Sequence, residues 1–310
     1  MTNPFFNFAI AYANALKSLF AELWAYFLIG FLIAGLIAEF VPRQSLLRYL
    51  GKNSLGTLLR ATLSGTVASL CSCGAIPIAV TLRKQGATRA AALTFLLAAP
   101  WAGLVQLTVF YKFLGLTGTT IIFLGALTVA FLTGVLIGCL EDRAWFPESL
   151  PTDQEVFKTE LNDEQKAQLS LSQRILRALK QAGQAFGELW KYLGFGLLLA
   201  AGLKAFIPTP WIIRYLGVHA SFNPVFLAVP VAAMVELCSE GFSVFAGQLY
   251  QMGATLAVVF VIVLVGVTTD FTELFVIWTK FGKRCAIVYL LTATGLTLGF
   301  ALLIQKFLAL

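Results

Sequence analysis

Hydrophobic and polar positions along this chain fall into long apolar runs divided by short charged turns, the pattern of helices that use lipid as their solvent. Apolar stretches long enough to cross a hydrocarbon core of about 30 Å lie at about residues 20–41, 57–82, 88–110 and 117–140, and again at 188–207, 223–250, 254–278 and 283–306. The one long polar stretch is 141–187, where eight of the fifteen acidic residues fall between Glu141 and Glu164 around Pro147 and Pro151. It reads as a cytosolic linker between a first transmembrane repeat, residues 1–140, and a second, residues 188–310. From Ser172 to about Trp190, basic and apolar residues recur at helical spacing, which predicts a helix lying along the membrane surface.

Composition points the same way. The chain is 59% hydrophobic and 12% charged, where a soluble domain carries roughly a quarter charged residues. The opening MTNPFFNF lacks the basic flank and small-residue cleavage site of a secretory signal, so the first helix is expected to stay as an anchor. The net charge is +7, but the basic residues sit in short loops beside apolar spans, so lipid headgroups and not nucleic acid are their expected neighbours. No phosphate-binding loop and no Ser, His and Asp set is present, which argues against ATP-driven transport by this chain alone and against hydrolysis. The expectation is a transport protein of a bacterial or cyanobacterial inner membrane, not an enzyme, with no cofactor.

The chain also resembles itself. Glu22 to Gly51 aligns without a gap on Glu188 to Gly217, sharing thirteen of thirty residues, among them Trp24 with Trp190, Pro42 with Pro208 and Arg48-Tyr49-Leu50-Gly51 with Arg214-Tyr215-Leu216-Gly217. Past one inserted residue in the second copy, the match resumes at an offset of 167, pairing Cys71-Ser72 with Cys238-Ser239 and Gly86-Ala87-Thr88 with Gly253-Ala254-Thr255. Duplicated units with a site between them are the architecture of secondary transporters. If every apolar stretch crosses, Lys and Arg divide twelve against ten between the two sides. If 57–82 and 223–250 are broken helices that return to the side they came from, the division is seventeen against five. Because cytoplasmic loops are enriched in Lys and Arg, the expected fold is an all-α polytopic membrane protein of two inverted repeats. Each would hold about three full spans plus a broken or re-entrant helix pair. The alternative is eight spans, four in each half.

Candidate chemistry gathers at the paired segments. In Cys71-Ser72-Cys73-Gly74-Ala75-Ile76-Pro77 two thiols two residues apart would diverge on a regular helix, and Gly74 and Pro77 argue for a break there. Unwound backbone would put both sulfurs on one side and is tolerated at membrane depth where it lines a cavity. Duplication sets Cys238 opposite Cys71 and Glu240 in the place of Cys73, with Gly241 as the matching breaker. Cys71, Cys73 and Cys238, flanked by Ser72 and Ser239, make a soft-ligand set suited to thiophilic metals and metalloids. The plainer reading, that free cysteines pack as small hydrophobes, is preferred for Cys139 and Cys285. Acids inside apolar runs are costly and mark function, so Glu240, Asp270, Glu236 and Glu273 are candidates for carrying a coupling proton. Glu22 and Glu188 begin helices and are accounted for by the helix dipole. Glu39 is expected at the interface, Gly134 and Gly138 as a packing face, and His219 on a surface loop.

These residues resemble a known family, the prokaryotic predicted permeases to which the ArsP-type organoarsenical efflux permeases belong. The resemblance rests on Cys71-Ser72-Cys73-Gly74-Ala75-Ile76-Pro77-Ile78-Ala79, Leu82-Arg83-Lys84-Gln85-Gly86-Ala87, Leu93-Thr94-Phe95-Leu96-Leu97-Ala98 with Pro100, and Cys238-Ser239-Glu240. It implies a small-molecule permease and, in the characterised branches, export of trivalent arsenicals held by cysteine thiolates. The sequence departs from the family at Trp101-Ala102-Gly103-Leu104 and Val265-Gly266-Val267, which bears on the cargo. Two other readings stand beside export of a soft metalloid by ion-coupled alternating access. One is a thiol–disulfide carrier of reducing equivalents pairing Cys71 with Cys238; the other is a permease for a hydrophobic or anionic solute in which the cysteines only pack. The expected partners are the lipid bilayer, a small-molecule or metalloid substrate and a coupling proton, with a homo-oligomer left open.

Overall fold

The computed structural model describes residues 49–143, 145–146, 172–184, 186–187, 224–234, 239–251 and 253–308, with positions 17, 28, 31–33, 35–37 and 39; nothing is described of the side chains of residues 73, 102, 104, 105, 240 and 308. Every regular element among them is helical. In the first half these are α1 (Leu55–Ala68), α2 (Ser72–Lys84), α3 (Arg89–Ala98), a 3-10 turn (Ala99–Ala102) and α4 (Leu104–Asp142). In the second they are α5 (Pro224–Met234), α6 (Ser239–Gln251), α7 (Leu256–Thr268), α8 (Phe271–Lys280) and α9 (Lys283–Leu308). Among the described residues α4, over Gln106–Asp142, and α9, over Lys283–Phe307, are long and apolar enough to cross a bilayer, and α7 with α8 makes a third candidate bent by 45°.

The breaks fall where local chemistry demands them, which is not always where the apolar pattern places them. The stretch 57–82 is two helices, parted at Ser69, whose φ of 48° is left-handed. The break therefore precedes Gly74 and Pro77, and α2 runs through both. Gly241 likewise lies inside α6. A proline six residues into a helix removes one hydrogen bond without stopping it when its neighbours are packed, and Ala75, Ile76, Ile78 and Ala79 are all buried. The expected single spans 88–110 and 254–278 are each broken in the middle. In the first, Pro100 sits in the 3-10 turn ahead of Gly103; in the second, Asp270 caps a fresh helix. The loop expected at 111–117 narrows to Gly115, with φ 70° and ψ −175°, a conformation open essentially to glycine alone. Gly282, 167 residues later, also has positive φ, 105°.

Other boundaries recur at the same offset. Thr88 caps α3 by accepting from the Ala91 N–H, and Thr255 caps α7 by accepting from that of Val258. All ten residues of α3 and all thirteen of α7 are buried, so these two short helices form the core of each half. α3 is enclosed by α1, α2 and α4, and α7 by α5, α6 and α9. With no hydrophobic drive between helices in lipid, small residues set how closely they approach. A Cβ on Gly65 would lie 2.6 Å from the Phe95 carbonyl, and one on Gly134 would strike Thr94. Gly138 faces Ala90 and Asn53, so both glycines of the expected packing face do pack.

Five helix ends meet at one basic end of the molecule. The Thr88 N–H donates to the Leu50 carbonyl at 3.0 Å, joining the approach to α1 to the end of the α2 turn. Asn53 donates to Asp142 at 2.9 Å, and Glu141 accepts from the Arg89 and Ala90 N–H groups at 3.2 and 3.3 Å. Arg284, at the start of α9, donates to the Trp145 carbonyl at 3.4 Å. Residues 50 to 88 thus leave this end and come back to it. Gly115 lies about 40 Å away, at 1.5 Å per residue along Leu116–Asp142, whereas its counterpart Gly282 adjoins the basic end.

Residues 172–184 and 186–187 are helical, as expected, but one face is not free. It runs antiparallel to positions 31–39: Phe31 meets Phe186 edge-on with centroids 5.3 Å apart, and Gly35 is pressed between Ala178 and Ala182. Glu39, expected at the interface, is buried at 2% exposure. It is paired with Arg174 at 3.8 Å and accepts from Gln181 at 3.3 Å, which is what a buried carboxylate requires. The opposite face carries exposed Ile175, Leu176 and Leu179.

Candidate functional site

Four helices begin at a similar distance from the basic end, and two of them, α4 and α6, are joined there by a hydrogen bond. From the basic end, α2 reaches back thirteen residues to Ser72, α3 runs inward ten residues before its break, and α8 reaches back ten to Phe271. At 1.5 Å per residue these are depths of about 15–20 Å, near the centre of a hydrocarbon core about 30 Å thick. The amino termini of α2, α4 and α8 therefore share a level. That of α6 joins them, because the Gln106 side-chain amide donates to the Ser239 carbonyl at 3.2 Å, both residues being buried. α4 packs against α6, and α8 against α2, so each half places a broken span on the other half's Cys-Ser helix.

Helix amino termini expose N–H groups and partial positive charge. Cys71 and Gly103 precede α2 and α4 without a side-chain hydrogen bond to the first turn. Cys71 is the residue before α2, extended at φ −61° and ψ 158°, with its side chain buried. Ser72 and Ser239 are buried, and the Ser239 carbonyl also accepts from the Ser243 hydroxyl at 2.9 Å. At α8, Asp270 supplies the cap, its Oδ1 accepting from the Thr272 N–H at 2.7 Å; part of its presence in an apolar run is thereby a folding matter. Glu273 in the next turn is 1% exposed. Its Oε1 accepts from the Tyr289 hydroxyl at 2.6 Å, while its Oε2 has no hydrogen-bond partner. A buried carboxylate oxygen left bare calls for an explanation.

The structure thus brings Ser239 to α4 and puts Cys71, Ser72, Asp270 and Glu273 at or near the amino termini of two packed helices. Cys238 and Glu236 lie outside the described residues, as do Glu22, Glu188 and His219. Among the described residues no three His, Cys, Asp or Glu side chains gather in a way that could hold a metal, and of the expected soft set only the Cys71 side chain is described. Cys139 is exposed near the end of α4, and Cys285 is buried in the first turn of α9. Sequence reasoning missed Gln106 and Tyr289. Gln106 had a signal, its place 167 residues before Glu273; Tyr289 had none, because its contact is made across the turn at Gly282.

A family model described as a predicted permease (ArsP_1) matches residues 15–306. A Streptococcus mutans protein named as a subunit of a two-component membrane permease complex is 24% identical over 290 residues, 93% of this chain and 92% of that one. The UPF0718 protein YcgR of Bacillus subtilis is 24% identical over 289 residues, 93% of this chain and 95% of its own length. The UPF0718 protein YraQ of Escherichia coli is 32% identical over 81 residues, 26% of this chain and 23% of that one. No solved structure matches the chain.

Proposed function

The chain belongs to this predicted-permease family, a multi-pass membrane protein, and we propose that it exports a thiophilic metalloid or metal species, or a small organic derivative of one, across the inner membrane by ion-coupled alternating access. The observation that carries the reading is the sharing of one level by four helix amino termini, with Cys71 at one and Ser239, bonded to Gln106 of α4, at another. Cys71, Cys73 and Cys238 bind the cargo through sulfur, the softest ligand available to a protein, with Ser72 and Ser239 beside them. The partial positive charge of the helix ends favours anionic ligand atoms there. Glu240 and Asp270, with Glu236 and Glu273, carry the coupling proton.

Residues 1–140 and 188–310 act as two inverted halves joined by 141–187. What supports this is the opposite placement of Gly115 and Gly282 relative to the basic end, together with the return of residues 50–88 to that end. Lys52, Arg83, Lys84, Arg143, Lys283 and Arg284 belong to that end, which marks it as cytosolic. The name of the Streptococcus relative supports a partner subunit for this chain.

The test is resistance. Expressed in an arsenical-sensitive strain, the wild type should protect against trivalent arsenicals, and Cys71→Ser or Cys73→Ser should abolish protection at unchanged protein level. Protection that survives both changes discards the thiol site.

A further inference from the structure

Gln106 and Glu273 stand 167 positions apart, each the third residue of its helix, α4 and α8, yet their chemistry differs. Gln106 crosses between the halves, its amide donating to the carbonyl of Ser239, the first residue of α6. Glu273 stays in its own half and accepts from Tyr289 on α9. The equivalent target for Glu273 is the first turn of α2, the helix against which α8 packs as α4 packs against α6. That turn has a carbonyl to offer, since Pro77 has no N–H and leaves the Cys73 carbonyl without its helical donor. The residue equivalent to Tyr289 is Ile122, buried and without a hydroxyl, so nothing of that kind holds Gln106 back.

An amide can always donate to a carbonyl, whereas a carboxyl can do so only when it carries a proton. We propose that Glu273 is a proton-gated bridge between the halves. With one proton on Oε2 it donates to a first-turn carbonyl of α2, Ser72 or Cys73, and draws α8 onto α2; without that proton the bridge is open. One proton is taken from water for each bridge made and returned when it breaks, with no other chemistry. Tyr289 is a positioning residue that occupies Oε1 and leaves Oε2 to the proton. Asp270 and Tyr289 are the titratable groups that act directly on Glu273. Around them Cys71 precedes α2, which carries Cys73 in its first turn and Arg83 and Lys84 at its end, α8 carries Lys280, and α9 carries Lys283, Arg284 and Cys285 in its first turn; α7 carries no titratable side chain. The bridge rests on the alternating-access reading but does not involve the cargo.

Hydrogen–deuterium exchange of the full-length protein in lipid nanodiscs, corrected for intrinsic rates between pH 5.5 and 8.5, tests it without a substrate. In the wild type, amides in the first turns of α2 and α8 should gain roughly tenfold protection as pH falls, the effect of one hydrogen bond. Glu273→Gln should show that protection at every pH. Gln106→Glu should give the first turn of α6 a pH dependence that the wild type lacks, and Tyr289→Phe should move the midpoint of the α2 profile. A flat wild-type profile, or a Glu273→Gln profile that still follows pH, overturns the bridge; an unmoved midpoint in Tyr289→Phe removes the positioning role. Failure of arsenical resistance would leave all four outcomes readable, so the two proposals fall separately.

Discussion

Glu141 should contribute more to stability than a carboxylate near a helix end usually does. Its Oε1 accepts from the Arg89 N–H at 3.2 Å and its Oε2 from the Ala90 N–H at 3.3 Å, with the Asn53 amide at 3.4 Å on the same oxygen. The two N–H groups belong to the first turn of α3, where no helical carbonyl can serve them. Hydrogen bonds to a charged group contribute about 1.5–3 kcal/mol each, and these lengths put them at the lower edge. The carboxylate's place at the helix amino terminus adds about 0.3–1 kcal/mol. Thr88 still caps the Ala91 N–H at 3.1 Å, so the loss stops there. Glu141→Ala should therefore destabilise the protein by about 3–4 kcal/mol. Glu141→Gln, which keeps one acceptor oxygen and loses the charge, should cost about half as much. Reversible denaturation in detergent micelles, followed by tryptophan fluorescence, measures both. A cost below about 1 kcal/mol for Glu141→Ala, or equal costs for the two variants, would refute the capping role, since either result leaves the α3 N–H groups satisfied by something else.

Two further outcomes test the arrangement around the site. Single cysteines at Lys52 and Lys84, in a background whose native cysteines are serine, should react with an impermeant maleimide from the same face, and one at Leu116 from the other; labelling of 52 and 84 from opposite faces would decide for the eight-span alternative. Arg174→Ala strands the Glu39 carboxylate, whose side chain has no exposed surface, and should cost about 3–5 kcal/mol in the same denaturation assay, while Glu39→Gln combined with it should recover a good part; an additive double variant would mean the pair does not interact.

The break inside the stretch 57–82 was legible because returning the chain there moves the division of Lys and Arg between the two sides from twelve against ten to seventeen against five, and because Gly74 and Pro77 disfavour an unbroken helix. Its place was not legible. Gly74 and Pro77 have the composition of a break, but α2 absorbs both, and the turn is made at Ser69 by a left-handed residue that carries no propensity signal. The interruptions at 99–103 and 269–270 were hidden for the opposite reason: both lie in continuous hydrophobic runs, and hydropathy reports solvent, which lipid and protein interior do not distinguish. Asp270 was visible as an acid out of place, and only the folded chain shows that it also caps α8.

The sequence by itself determined that this chain lives in a bilayer, that parts of it recur at an offset of 166 to 167 residues, and which thiols and acids are unusual there. Each of these follows from transfer free energies and residue identity, which need no neighbours to be read. The tertiary structure decided which of those residues meet: Gln106 with Ser239 over 133 positions, Glu273 with Tyr289 across a glycine turn, and Glu141 with the start of α3. Hydrogen bonds act only within about 3 Å, and what lies within that distance is fixed by how the two halves pack, a property of the whole chain that no local stretch encodes.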